Sequence, residues 1–99
     1  MLTHVVLMQL HPDAATADIA DLERRLRELS ALLVRPGSCT VGPNVTSEPF
    51  ARGFDFGFVI RFPDTSGLAI YHNHLDHQPI SELVHRLSQT FLVFDFEGP

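Results

Sequence analysis

From Thr3 to Leu10 the chain is almost wholly apolar, with His4, Val6, Met8 and Leu10 alternating with Val5 and Leu7 before His11-Pro12-Asp13 closes the run. A short apolar run ended by turn residues predicts a first strand. Apolar residues on both faces imply that both faces are covered. Between Thr16 and Val34 the period lengthens: Ile19, Leu22, Leu26, Leu29 and Leu33 recur at helical spacing, with the charges on the other side. This predicts an amphipathic helix with Thr16 as N-cap and Pro36-Gly37 as its stop. Ser38 to Thr46 reads as a second strand broken by Gly42-Pro43, which implies an edge position or a bulge. Ser47 to Gly53 is a loop carrying Phe50, and Phe54 to Phe62 is a third strand with Phe54, Phe56, Phe58, Ile60 and Phe62 on one face. A short helix over Thr65 to Asn73 follows, capped by Asp64 or Thr65, with Leu68 and Tyr71 on one side. Asp76 is the expected cap of another helix, with Pro79 in its first turn and Ile80, Leu83, Val84 and Leu87 facing inward. Thr90 to Phe96 closes the chain as a fourth strand, with Leu92, Phe94 and Phe96 on one face and Phe91 and Val93 on the other.

The order is β-α-β-β-α-β with the second helix split in two, an α+β chain of ferredoxin-like topology around a four-stranded antiparallel sheet. Helices in that topology cover one face of the sheet only. The first and last strands are apolar on both sides, so a second face is left bare, and monomers rarely expose such a patch. The economical resolution is a homodimer packed sheet face to sheet face, a dimeric α/β barrel.

Composition narrows the possibilities. Ninety-nine residues make one small domain, residues 1–99, with a single core. The net charge is −5, there is no lysine, and Arg24, Arg25 and Arg27 lie among acidic residues of the first helix. No basic stripe exists for phosphate contacts, so nucleic-acid binding is not expected. Without lysine, Schiff-base chemistry and a phosphate-loop lysine are also excluded. Cys39 is the one cysteine, so no internal disulfide forms and a reducing compartment is expected. The opening residues carry no basic leader and are too short to span a bilayer, and the protein is read as cytoplasmic and free of membrane contact.

The densest chemistry lies in Tyr71-His72-Asn73-His74-Leu75-Asp76-His77, which holds three of the six histidines and the only tyrosine. Histidine exchanges protons near neutral pH, and a phenol can donate a hydrogen bond to a developing oxyanion. On a continued helix Tyr71, His74 and His77 share a face and His72 points elsewhere. Near a helix start, exposed N–H groups keep the His77 imidazole neutral, as a general base requires. His4 on an apolar strand needs either a partner or a cavity. Two other readings stand beside this one. The imidazoles can simply bond the backbone, with His74 stabilising a turn; or His72, His74, His77 and Asp76 can ligate a divalent ion, although their spacing matches no strong zinc pattern. His11 and His85 are expected to be exposed and uninvolved, and Cys39 to be an inert buried thiol.

Taken together, the opening strand with His4, the Gly42-x-Asn44-x-x-Ser47-Glu48 run, Gly53-Phe54-Asp55 before an apolar strand, and Tyr71-x-x-His74-x-x-His77 before the last helix resemble the stress-responsive dimeric α/β-barrel (Dabb) family. The resemblance covers nearly the whole chain. It implies a homodimer of ferredoxin-like protomers and, by similarity to a plant polyketide cyclase of the family, cofactor-free and metal-free chemistry on a polyketide-like or other small carbonyl ligand. His77 would then be the general base and Tyr71 would hold the carbonyl, with His4 and His74 positioning the substrate and Phe56, Phe58 and Phe91 supplying apolar wall. The chain departs from that cyclase at Phe56, where the cyclase has histidine, and from the family's usual proline at Leu75. Cyclisation or isomerisation is the leading expectation, and a non-catalytic ligand-binding dimer or a cofactor-independent monooxygenase are the alternatives.

Overall fold

The computed structural model describes residues 1–99. Its elements run β1 (Leu2–Leu10), α1 (Thr16–Leu33), β2 (Cys39–Pro43), β3 (Phe56–Phe62), α2 (Thr65–Asn73), α3 (His77–Leu87) and β4 (Ser88–Glu97). The four strands form one antiparallel sheet in the order β2-β3-β1-β4, the ferredoxin-like arrangement. β1 and β3 are central, and Pro43 ends the edge strand β2, where a missing N–H is tolerated.

Cross-strand register decides which side chains share a face. His4 pairs with Ile60 on one side and Asp95 on the other, and Val6 with Phe58 and Val93. These residues, with Leu2, Met8, Phe56 and Phe62, look toward the helices. There Leu2, Val6, Met8, Phe56, Phe58, Ile60 and Phe62 meet Leu22, Leu26 and Leu29 of α1, Tyr71 of α2, and Ile80, Leu83, Val84 and Leu87 of α3 in one buried core, with His4 buried beside it and Val93 and Asp95 of the edge strand β4 left exposed. The Leu22–Leu26–Leu29 seam follows the helical period that the sequence shows, while Arg24, Arg25 and Arg27 pair with Asp21, Glu28 and Glu23 on the outer side of α1.

The opposite face carries no helix. It is built from Thr3, Val5 and Leu7 with their partners Arg61, Val59 and Gly57 on β3 and Phe96, Phe94 and Leu92 on β4. Phe94 and Phe96 are 60% and 47% exposed, and their rings lie 5.9 Å apart. Gly57 allows the strands to approach here: a Cβ at that position would lie 2.9 Å from the Val6 carbonyl oxygen and 3.0 Å from Leu7 Cδ2.

Several boundaries differ from the sequence expectation. Ala15, not Thr16, is the N-cap of α1, and no side chain caps that end. β2 stops at Pro43 because Asn44 turns away to bond Asp55 and Phe54. β3 begins at Phe56, since Asp55 is spent as a clip: its N–H donates to Met8 O and its carboxylate accepts from Leu10 N–H. Asp64 caps α2 as expected, accepting the Gly67 N–H at 3.0 Å. Asp76 precedes α3 without a side-chain capping bond. No helix is long and apolar enough to cross a membrane.

Candidate active site

α2 ends at Asn73, and the following backbone is extended, with His74 at φ −71° and ψ 141°. That break rearranges the histidines relative to a continuous helix. The His74 carbonyl accepts the His77 N–H at 3.0 Å, and His74 Nδ1 accepts the Asp76 N–H at 3.0 Å, so His74 closes the turn between α2 and α3. It is not among the residues lining the hollow described next. α3 then starts at His77 and swings its ring back onto Tyr71, the ring centroids 4.7 Å apart and edge to face.

Between sheet and helices lies a hollow of about 100 Å³ lined by His4, Val6 and Phe58 from the sheet, Tyr71 from α2, His77 and others from α3, and Phe91 from β4. His4 is 3% exposed, and its Nδ1 lies 2.5 Å from an Asp95 carboxylate oxygen. The buried imidazole on β1 therefore has both a partner and a cavity. Its ring also meets Tyr71 at 6.0 Å and His72 at 5.4 Å.

His72 does not point elsewhere, as the helical trace suggests. Its ring lies edge-on to His4 and, at 5.1 Å, to His77, outside the lining of the hollow and exposed to solvent. Phe58 and Phe91 line the hollow, whereas Phe56, expected beside them, is 5% exposed in the core next to Met8. Phe56 instead borders a separate cleft of about 730 Å³ between β2, β3 and the 44–54 loop. His85, expected to be uninvolved, lines the hollow: it rests edge-on to Phe91 at 4.9 Å and its Nδ1 lies 2.8 Å from the Ser81 carbonyl oxygen. The histidines, Cys39 and the acidic residues form no cluster of three with metal-binding geometry.

The electrostatics separate acid from base. Burial pushes the His77 imidazole below its ordinary 6.5, and the nearby His72 and His4 push it the same way. His77 is thus neutral at pH 7, able to accept a proton. Burial moves the Tyr71 phenol in the opposite sense to its acidity, well above its ordinary 10, with Cys39 adding to the effect, so Tyr71 remains an O–H donor throughout the physiological range. His72 is also lowered, by desolvation and then by His4, with Asp95 opposing. Burial raises the Cys39 thiol to about 11, which leaves it protonated and unreactive.

Fold and site together define a ferredoxin-like domain with a titratable hollow under its helices. The family model of the stress responsive A/B barrel domain, Dabb, matches residues 2–98, and the chain belongs to that family. Among solved structures, a dimeric ferredoxin-like protein of unknown function from Jannaschia sp. CCS1 superposes with a TM-score of 0.88 at 25% identity over 98% of both chains. A protein of Arabidopsis thaliana gives 0.86 at 20% identity, covering 100% of this chain and 96% of its own. Hydroxynitrile lyase from Passiflora edulis gives 0.83 at 11% identity, covering 96% of this chain and 90% of its own. At the last two identities the likeness is one of fold. No curated protein matches the sequence.

Proposed function

We propose that the protein is a cofactor-free acid/base catalyst acting on a small carbonyl compound, with His77 as general base and Tyr71 as oxyanion donor. The observation that carries this reading is the 4.7 Å contact of the Tyr71 and His77 rings at the wall of one hollow, with the phenol held protonated and the imidazole held neutral. A substrate carbonyl oxygen placed at Tyr71 presents its neighbouring C–H to His77. The imidazole takes the proton, the electron pair moves onto oxygen, and the phenol donates a hydrogen bond to the resulting enolate. Return of the proton to another carbon isomerises the compound, and attack of the enolate on a second carbonyl cyclises it. Val6, Phe58, Ile80, Val84 and Phe91 keep the site apolar, which strengthens both interactions. His4, held by Asp95, packs against Tyr71 and fixes its ring.

The hollow of about 100 Å³ is below the roughly 300–1,000 Å³ of drug-sized ligand sites, which favours a short substrate over an extended polyketide. The hydroxynitrile lyase among the neighbours supports the view that this scaffold carries lyase chemistry. Dimer formation belongs to the same reading: the helix-free face with Leu7, Leu92, Phe94 and Phe96 exposed is an apolar surface of the kind that a second copy would cover, and the Jannaschia neighbour is described as dimeric.

Deuterium uptake from D₂O into cyclohexanone, followed by proton NMR, reads the first step without knowledge of the natural substrate. His77→Gln and Tyr71→Phe should each slow the protein-catalysed uptake by about 10²-fold or more, the usual worth of a positioned acid or base. Uptake unchanged in both variants would remove the catalytic reading and leave the hollow as a binding site.

A further inference from the structure

A base half-buried at the wall of a hollow must pass on the proton that it takes, or it works once. The His77 ring is half-buried, and its neighbours from each packed element are Tyr71 and His72 of α2, His4 of β1 and, behind His4, Asp95 of β4. Of these, Tyr71 keeps its own proton and His4 is 3% exposed and committed to Asp95 at 2.5 Å. His72 alone both touches the base and reaches water: its ring is 5.1 Å from His77 between centroids, it lies outside the hollow, and it is exposed.

We propose that His72 is the proton exit of this site, an imidazole that receives the proton from His77 and hands it to bulk water. The two rings meet edge to face without a direct hydrogen bond, and at that separation one water molecule can bridge a nitrogen of each. The transfer balances without further reactants. His77, charged after taking the proton, passes its N–H hydrogen through that water to the free nitrogen of neutral His72; His72, now charged, releases a proton from its solvent-facing nitrogen and returns to neutral. Both rings end neutral, with His72 in its other tautomer, which proton exchange with water resets before the next transfer. Desolvation and then His4 act against a positive charge on His72 and so favour release of the proton to water, while the Asp95 carboxylate, behind His4, acts in the direction that favours the transient charge.

The catalytic meaning of this exit rests on the reading of His77 as a base, but proton traffic through it can be measured without substrate. The full chain, labelled with nitrogen-15, reports the exchange of the His77 ring proton with solvent in long-range proton–nitrogen NMR spectra. In His72→Phe and His72→Gln the His77 exchange should slow by about tenfold or more, and dissolved imidazole should restore it, because a free imidazole can do what the missing ring did. His11→Gln, at a solvent-exposed turn remote from the cluster, should leave the rate as it is in the wild type. Equal exchange in the wild type and both His72 variants overturns the proposal, as does slowing that added imidazole does not relieve, which would mark His72 as a packing residue. Loss of the carbonyl chemistry of His77 would be seen in the deuterium uptake and not here, so the two readings fail separately.

Discussion

The His4–Asp95 pair ties together the two strands at the base of the site, and removing the carboxylate should show how much the fold depends on it. In Asp95→Ala the His4 ring stays behind β1 with its Nδ1 stripped of a partner that now lies at 2.5 Å. The two partners are unequal: the His4 side chain is 4% exposed and that of Asp95 36%, so the cost comes from the orphaned imidazole, while solvent already meets part of the carboxylate. Leaving a buried polar group unsatisfied costs about 1–3 kcal/mol, and the partial exposure of Asp95 argues against the 3–5 kcal/mol of a fully buried broken pair. With a urea dependence of about 1–2 kcal/mol per molar, the midpoint should fall by about 0.5–3 M with an unchanged slope. Wild type and variant must be compared at one protein concentration, because dimerisation would make the midpoint concentration-dependent. Replacing both partners, as His4→Phe with Asp95→Leu, should recover much of the loss, since an apolar pair leaves nothing unsatisfied. A midpoint in Asp95→Ala within about 0.2 M of wild type, on the same scale of slopes, would refute the argument that this bond is what lets a histidine sit in the core.

Three further outcomes follow from the geometry. His72 and His77 have proton affinities below the ordinary imidazole value of 6.5, so on acidification the unfolded chain binds protons that the folded one does not. Thermal stability should therefore be full above about pH 6.5 and fall as pH drops below it, with a shallower fall in His77→Gln, as melting curves across pH 5–8 would show. Gly57→Val forces a Cβ to within 2.9 Å of Val6 O and should destabilise by about 1–3 kcal/mol, lowering the melting temperature by about 5–20 °C in a chain of this size. Phe94→Glu places a charge on the helix-free sheet face, beside Val5 on the edge strand β4, and should leave the protein monomeric in sedimentation velocity where the wild type is dimeric, while the same change at exposed Leu32 on α1 should not.

Much of the fold is written in local pattern. The period of two in β1 and β3 and the seam Leu22–Leu26–Leu29 appear in the structure where the sequence places them, because each follows from one face meeting one core. The bare second face is equally legible, from apolar residues on both sides of β1 and β4. What local pattern misses is set by tertiary contacts. The expected alignment of Tyr71, His74 and His77 presumes that the helix continues, yet it ends at Asn73 with an extended His74, which is taken up in the turn while α3 brings His77 back against Tyr71 and His72. Phe56 lies on the same sheet face as Phe58, but two residues further along the strand brings it to the other end of the core, beside Met8. Asp95 is 91 residues from His4 and no short-range rule joins them. A signal was nevertheless present: on β4 the alternation that puts Phe91 and Val93 inward also puts Asp95 inward, and a ferredoxin-like order pairs that strand with the one bearing His4. An acid on an inward face opposite an inward histidine is the pattern to look for.

A carbonyl compound should react in the space on which Tyr71 and His77 converge. A crystal structure of the protein soaked with pentane-2,4-dione tests this directly. The dione is expected in the hollow beneath α2 and α3, one oxygen within about 2.7–3.1 Å of the Tyr71 hydroxyl and its central carbon about 3–3.5 Å from a His77 ring nitrogen, the geometry that an oxyanion donor and a near-attack base require. A dione bound only in the wide cleft beside the 44–54 loop, with the Tyr71–His77 hollow empty, would contradict it.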